Sequence, residues 1–275
     1  MKSILKYFLL VVFNFSFLMA VFPDAIGENG AVTSSSKHAS QIGIDVLENG
    51  GNAIDAAIAV GFALSVTFPN AGNLGGGGFM VIRTSTGEVK TIDFREVAPQ
   101  NASRDMYLDE NGDVIGGMSL YTAHASGVPG TVAGFEYAHE KFGTKSWNYL
   151  LRPSIQLATQ GFELSFRDAM YLNASRSFFL RDEQAAKIFA EQDNYSVGDL
   201  FIQKDLAKTL RRISIGGADE FYNGVTSDMI LKCMKRTGGI ITKADLANYK
   251  PIEREPVTFN YRDYTFYSMP AASSG

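Results

Sequence analysis

One segment near the amino end constrains the fold more than any other, because it predicts a helix without a polar face. Residues 52–68 read NAIDAAIAVGFALSVTF. Asn52 can accept hydrogen bonds from the first backbone N–H groups, Asp55 lies in the first turn, and Pro69 ends the pattern. After Asp55 the segment carries no charge, and apolar side chains cover most of its circumference. It is too short and too rich in alanine to span a membrane, so we predict a helix buried between layers.

Four consecutive glycines, residues 75–78, follow this helix and lead into two short β-rich runs. The runs cover residues 79–84 and 89–94, and the four residues between them include a glycine, which is typical of a β-hairpin. Glycines let another backbone or a ligand approach closely. A phosphate-binding loop would need a following Lys-Ser or Lys-Thr pair, or a helix that begins at the glycines, and neither is present.

Arg95 ends the second run, close to Asp93 and next to Glu96. Its planar guanidinium can hold a carboxylate by two parallel hydrogen bonds, which makes it a candidate ligand-binding residue. A surface ion pair with a neighbouring acid would look the same in the sequence. The residues alone leave both interpretations open.

The composition is typical of a globular protein and does not favour binding to nucleic acid. With 275 residues, of which 45 % are hydrophobic and 20 % charged, we expect one large domain or most of one. A net charge of −4 without a basic cluster argues against a nucleic-acid partner. The single cysteine, Cys233, excludes an internal disulfide and is predicted to be a buried free thiol. No metal-ligand spacing is present, and the acidic loop at residues 109–113 lacks the closing acid of a calcium loop.

The first 25 residues differ in kind from the rest. Lys2 and Lys6 precede an uncharged, mostly apolar run, YFLLVVFNFSFLMA, over residues 7–20. This layout is that of a secretory signal peptide, with cleavage expected near residues 20–25. An uncleaved membrane anchor is the alternative. In both cases we expect residues 26–275 to lie outside the cytoplasm, in the periplasm or the extracellular space.

The rest of the chain is predicted to be mostly helical and to end in a strand pair. Helices are expected over residues 37–49, 131–142, 147–160, 165–180, 184–191, 204–214 and 225–235, with a short one after Thr242. Strands are expected over residues 257–260 and 264–269. No Gly-x-Ser-x-Gly motif occurs, and no serine or cysteine motif accompanies a histidine, so we expect no catalytic triad.

Four segments resemble the gamma-glutamyltranspeptidase family and occur in the family's order. They are GNAIDAAIAVGFALSVTFPNAGNLGGGGFMVI, TIDFREVAP, SGVPGTVAGF and GGIITKADLANYK. The resemblance covers nearly all of the chain from about residue 31 to residue 275 and places it in the amino-terminal part of the family's large subunit. It implies an α+β fold, the four-layer αββα sandwich of amino-terminal nucleophile hydrolases, which would be incomplete in residues 26–275.

The resemblance also implies roles for individual residues. In the family the arginine of the FRE segment holds the α-carboxylate of the gamma-glutamyl group, and Arg95 occupies that place. The family's catalytic residue is a threonine freed by self-cleavage of the precursor; its amine, with a pKa near ~8, serves as the base for its own hydroxyl. No threonine of this chain stands at the processing junction, so we expect residues 1–275 to contain no catalytic residue and to be inactive alone.

The partners implied by the resemblance are three. They are glutathione or another gamma-glutamyl donor, an amino acid or peptide acceptor, and the small subunit of the same precursor; no cofactor and no metal is implied. The activity would be that of a gamma-glutamyltransferase and glutathione hydrolase. Two alternatives stay open: a secreted amino-acid-binding module that keeps Arg95 without catalysis, and a related acylase or capsule-processing transpeptidase.

Overall fold

The computed structural model describes residues 26–274 of the chain. The predicted signal peptide or anchor over residues 1–25 lies outside them and stays a prediction. The chain divides into two units, Met1–Ala31 and Val32–Gly275. Residues 26–31 of the first unit form neither helix nor strand, and the second unit holds the secondary structure. No helix within residues 26–274 is long and apolar enough to cross a membrane.

The second unit is of the α+β class, as predicted. Its helices are α1 (Lys37–Glu48), α2 (Ala53–Thr67), α3 (Met118–Tyr121), α4 (Thr131–Phe142), α5 (Trp147–Gln160), α6 (Phe166–Phe179), α7 (Glu183–Phe189), α8 (Lys204–Asn223), α9 (Val225–Thr237) and α10 (Lys243–Asn248), with a 3-10 turn at Ala123–Ala125. Its strands are β1 (Phe79–Arg83), β2 (Val89–Asp93), β3 (Phe162–Glu163), β4 (Leu200–Phe201), β5 (Ile252–Arg254), β6 (Val257–Tyr261) and β7 (Tyr264–Ser268).

Helix α2 lies at the centre of the core, which confirms its predicted burial. The Asn52 side chain accepts hydrogen bonds from the N–H groups of Ile54 and Asp55, and the Asp55 carboxylate accepts one from the Asn52 N–H. Ile58 and Phe62 are fully buried. Helices α1 and α5 pack against α2, so its apolar circumference is covered from more than one side.

The Asp55 carboxylate also joins α2 to the loop between α4 and α5. It accepts hydrogen bonds from the Thr144 N–H (2.9 Å), the Thr144 hydroxyl (2.6 Å) and the Lys145 N–H (3.1 Å). Burial alone would raise the pKa of Asp55, but the hydrogen bonds from Thr144, Asn52 and Lys145 outweigh it and hold that pKa below its ordinary value. The charged form is therefore the one that the fold stabilises.

A row of aromatic rings connects α2 to the end of β2. Phe62 meets Trp147 of α5 and Phe135 of α4 edge to face, at ring-centroid distances of 5.3 and 5.2 Å. Phe135 in turn contacts Phe94, with centroids 5.7 Å apart. Phe94 follows the last residue of β2 and precedes Arg95, so the packing of the core helix fixes the point at which the chain leaves this strand.

Strands β1, β2 and β5 form an antiparallel sheet with β2 in the middle. The predicted hairpin is confirmed: Met80 lies opposite Ile92, and the turn between the strands holds Gly87 at φ 88°. On its other side β2 pairs with β5, where Glu253 lies opposite Ile92. Ile92 is fully buried, so this sheet has one face on the core.

Helix α8 is longer than its predicted span of residues 204–214, because it continues through a kink to Asn223. Gly217, at φ 64°, interrupts the helical backbone. The Glu136 carboxylate of α4 accepts a hydrogen bond of 2.7 Å from the Ala218 N–H and so caps the second segment. Since the cap comes from a distant part of the chain, local periodicity could not predict the extension.

The predicted burial of Cys233 is wrong. Cys233 is a free cysteine, as expected, but it is half-buried instead of buried. The buried residues of its helix, α9, are Thr226 and Ser227 in the first turn, so the later turns lie at the edge of the fold.

The strands predicted at the end of the chain are confirmed as β6 and β7, which pair with each other. Every residue of β6 is exposed, and on β7 Phe266 and Tyr267 are each more than 40 % exposed. Both faces of this hairpin therefore present aromatic and aliphatic side chains to solvent.

The hydrogen bonds of Asp55 generate a prediction about stability and pH. A carboxyl whose pKa is lowered on folding contributes stability above its unfolded pKa of about 4, and this is lost as the pH falls through the folded value. We expect Asp55→Asn to lower the free energy of unfolding at pH 7 by about 2–4 kcal/mol, because donors that face the carboxylate lose their acceptor. The difference from wild type should shrink below about pH 4.

Urea unfolding of the purified protein at pH 7 and at pH 3.5 measures both effects. Asp105→Asn is a matched control, since Asp105 is exposed and its side chain takes part in a surface ion pair with the exposed Arg104. An Asp55→Asn variant as stable as wild type at pH 7 would contradict the role assigned to this carboxylate.

Candidate functional site

Arg95 lies just beyond the end of β2, and both of its backbone polar groups are hydrogen-bonded. Its N–H donates to Oδ1 of Asp93 at 3.0 Å. Its carbonyl accepts a hydrogen bond of 2.9 Å from the hydroxyl of Tyr249, the residue that follows α10. The peptide groups on either side of the Arg95 Cα are therefore fixed by two different side chains.

Asp93 is itself held by a charged partner. Its side chain is 8 % exposed, and Oδ2 accepts a hydrogen bond of 2.7 Å from Nε of Arg254 on β5. One carboxylate oxygen thus binds the Arg95 backbone while the other binds a cation from the neighbouring strand. The Asp93 carboxylate thus binds the backbone of Arg95 and the side chain of Arg254, and within residues 26–274 it forms no ion pair with the Arg95 guanidinium.

The glycine cluster at residues 75–78 lies directly against this backbone. A Cβ on Gly77 would stand 2.5 Å from the Phe94 carbonyl oxygen and 2.8 Å from the Cα of Arg95, distances that no side chain tolerates. Gly78 exchanges backbone hydrogen bonds with Phe94. The cluster therefore receives another backbone, which is one of the two roles predicted for it.

The same cluster also anchors the start of α4. The Gly76 carbonyl accepts hydrogen bonds from the N–H groups of Gly130 (2.7 Å) and Thr131 (3.1 Å). Oδ1 of Asn73 accepts from the Gly76 N–H at 2.9 Å and from the Thr131 hydroxyl at 2.6 Å. The loop that ends at Gly130 is consequently fixed against the segment that precedes β1.

The side chain of Arg95 is exposed. Its Nη1 donates to the carbonyl of Ala272, and within residues 26–274 the guanidinium forms no ion pair. Glu96, the other acid that the sequence places beside it, forms none either within the described part of the chain. A cation next to two acids but paired with neither keeps its charge available for an anionic ligand.

Two cavities border residues that support the backbone of Arg95. A cavity of about 890 Å³ borders the glycine cluster at Gly75, and its wall includes Gln203 and four basic residues: Lys187, Lys204, Lys208 and Arg212. A smaller cavity of about 280 Å³ lies between Glu136, Tyr222 and Tyr249. Arg95 lines neither of them. The glycine cluster supports the backbone of Arg95, because Gly77 lies in close contact with its Cα.

Sequence reasoning singled out Arg95 but missed Tyr249, Gly130 and Arg254. Tyr249 stands in one of the segments that resemble the family, yet nothing in its local pattern indicates a contact with a residue 154 positions earlier. Among residues 26–274, no group of three histidine, cysteine or acidic side chains is arranged to hold a metal ion.

Comparison with known proteins agrees with this architecture. The family model described as gamma-glutamyltranspeptidase matches residues 39–275. The glutathione hydrolase proenzyme of Escherichia coli (strain K12) is 46 % identical over 257 residues, which cover 93 % of this chain and 44 % of that protein. The corresponding proenzyme of Pseudomonas sp. (strain A14) is 49 % identical over 250 residues, covering 90 % and 44 %.

Solved structures give the same answer. The crystal structure of Helicobacter pylori gamma-glutamyltranspeptidase superposes with a TM-score of 0.89 at 48 % sequence identity, over 92 % of this chain and 73 % of that one. The chain spans less than half the length of the two curated relatives that it matches. The resemblance inferred from four sequence segments is confirmed, and the chain belongs to the gamma-glutamyltranspeptidase family.

Proposed function

We propose that this chain is the amino-terminal part of the large subunit of a gamma-glutamyltransferase and glutathione hydrolase. Its relatives in Escherichia coli and Pseudomonas sp. are named glutathione hydrolase proenzymes, and it corresponds to 44 % of the length of each. In this proposal the complete protein transfers a gamma-glutamyl group from a donor such as glutathione to water, or to the amine of an amino acid or peptide.

Within that activity Arg95 binds the α-carboxylate of the gamma-glutamyl donor. The observation that carries this assignment is the state of its guanidinium, which is exposed and forms no ion pair within residues 26–274 although two acids are close in sequence. Its backbone is fixed at both ends. A fixed backbone that carries a planar cation without an acidic partner suits a carboxylate that must be held in one orientation.

The bond-making step belongs to a threonine outside this chain. Its hydroxyl attacks the gamma-amide carbonyl while its own α-amine takes the proton, and the amine of the donor leaves as it receives a proton. The resulting ester then reacts with water or with an acceptor amine, and the threonine hydroxyl is restored. The contribution of Arg95 is to hold the glutamyl group so that its gamma-carbonyl meets the nucleophile.

The small subunit of the same precursor is the proposed partner that completes the fold. The β6–β7 hairpin exposes apolar side chains on both faces, Phe259 and Tyr264 among them, and such surfaces are usually covered in a folded protein. Pairing of this hairpin and the β1–β2–β5 sheet with strands of the remaining sequence would generate the four-layer αββα sandwich. We place the mature protein in the periplasm or outside the cell, with residues 1–25 as signal peptide or anchor.

Replacing Arg95 by lysine tests the proposed role. Lysine keeps the charge but loses the two-pronged geometry, so in the complete, processed protein the KM for a gamma-glutamyl anilide should rise about 10- to 100-fold, with a smaller change in kcat. Steady-state kinetics at saturating acceptor measure both constants.

Arg83→Lys is the matched control. Arg83 is exposed, lies at the opposite end of the same hairpin and forms no ion pair within residues 26–274. The control should leave KM unchanged. An equal KM for wild type and Arg95→Lys would remove Arg95 from the donor site.

A second prediction concerns the isolated chain. Because no catalytic threonine is assigned within it, purified residues 26–275 should not hydrolyse a gamma-glutamyl anilide above the rate of buffer, whereas the complete protein should. Release of the anilide chromophore by the isolated chain, at a rate proportional to its concentration, would show that the nucleophile lies within residues 26–275.

A further inference from the structure

We propose that Tyr249 is a positioning residue for donor binding, which acts by holding the carbonyl of Arg95 and so setting the direction in which the guanidinium leaves the backbone. This inference rests on the proposed function of Arg95. It assigns to the segment GGIITKADLANYK, which the donor-binding role of Arg95 does not explain, a contribution to substrate recognition.

The direction of the Arg95 side chain depends on its backbone. The side chain is exposed, and the one hydrogen bond that its guanidinium makes within residues 26–274 is to the carbonyl of Ala272. Little side-chain packing is therefore present to orient it. Its backbone, in contrast, is bound at the N–H by Asp93 and at the carbonyl by Tyr249, with Gly77 in close contact below the Cα.

The Tyr249 ring is itself held in place. It stacks on the ring of Tyr222 with centroids 5.7 Å apart and an interplanar angle of 6°. Tyr222 is 5 % exposed, and its hydroxyl donates to the Pro129 carbonyl at 2.8 Å. The position of the Tyr249 hydroxyl is thus fixed by contacts with the buried part of α8 and, through Tyr222, with the loop before α4.

The Tyr249 hydroxyl can reach the Arg95 carbonyl because residue 130 is a glycine. A Cβ on Gly130 would stand 2.1 Å from the Tyr249 oxygen and 2.1 Å from the Phe94 carbonyl oxygen. Any side chain at position 130 would therefore separate Tyr249 from the backbone around Arg95. The absence of a side chain at Gly130, within the segment SGVPGTVAGF, therefore makes this contact sterically feasible.

Helix α10, which directly precedes Tyr249, is itself attached to the segment that follows Arg95. Asp245 caps α10 through Thr242 and accepts a hydrogen bond of 2.8 Å from the Gln100 N–H. Gln100 lies a few residues beyond Arg95, so the helix that directly precedes Tyr249 is attached to the chain segment that Tyr249 positions. Burial, together with the nearby Asp93 and Glu96 carboxylates, raises the pKa of Tyr249, so its hydroxyl remains a donor at neutral pH.

Tyr249→Phe tests the proposal in the complete, processed protein. The change removes one oxygen atom and keeps the ring that stacks on Tyr222, so the variant is expected to fold, and its melting temperature checks this. We expect kcat/KM for a gamma-glutamyl anilide to fall about 3- to 10-fold, mainly through KM. With a 4-aminobutyryl anilide, which lacks the α-carboxylate but keeps the scissile amide, wild type and variant should react at equal rates.

Tyr137→Phe provides the matched control. Its hydroxyl also makes a hydrogen bond, to Glu253 at 2.9 Å, and it borders the same small cavity as Tyr249 without contacting Arg95. This control should leave kcat/KM for both anilides unchanged. The Arg95→Lys, Tyr249→Phe double variant should be no worse than Arg95→Lys alone, because the tyrosine acts through the arginine.

Two results would overturn the proposal and leave the donor-binding role of Arg95 intact. One is an unchanged KM in Tyr249→Phe alongside a raised KM in Arg95→Lys. The other is an equal loss of activity on both anilides, which would mean that Tyr249 serves the general stability of the site. An unchanged KM in Arg95→Lys would instead reject the function on which the inference rests.

Discussion

The burial of helix α2 is the constraint on which the rest of this structure depends. After Asp55 the helix has no charged residue, and Ile58 and Phe62 are fully buried. A helix of this kind is stable only where other elements cover its circumference. From Phe62 the packing continues through Phe135 to Phe94. The hydrophobic effect that buries α2 therefore also fixes the point at which the chain leaves β2, directly before Arg95.

The site combines a fixed backbone with an exposed charge. Around Arg95 the polar backbone groups are bound by Asp93 and Tyr249, while Gly77 and Gly130 remove the side chains that would keep these partners apart. Arg95 lines neither the cavity that borders Gly75 nor the one that borders Tyr249. The Arg95 side chain therefore extends from a fixed backbone and remains exposed.

Local patterns predicted most of the elements, because capping, glycine placement and periodicity act over a few residues. The bounds of α2, α5 and the β1–β2 hairpin agree with the sequence to within a residue or two. The extension of α8 beyond Gly217 was missed because its cap is Glu136 of another helix. The partial exposure of Cys233 was missed because hydrophobicity describes a residue type and not the depth of its helix.

The sequence by itself determined the buried helix, the hairpin and the family, since each is encoded by short-range chemistry or by contiguous motifs. Through the FRE segment it also predicted a ligand-binding role for Arg95, which stays a prediction. Only the tertiary structure decided between an ion pair and an available cation at Arg95, because the Asp93 carboxylate is bound by Arg254 from β5. The contact with Tyr249 likewise depends on a chain crossing that no local pattern records, because hydrogen bonds between distant segments exist only once the core has brought those segments together.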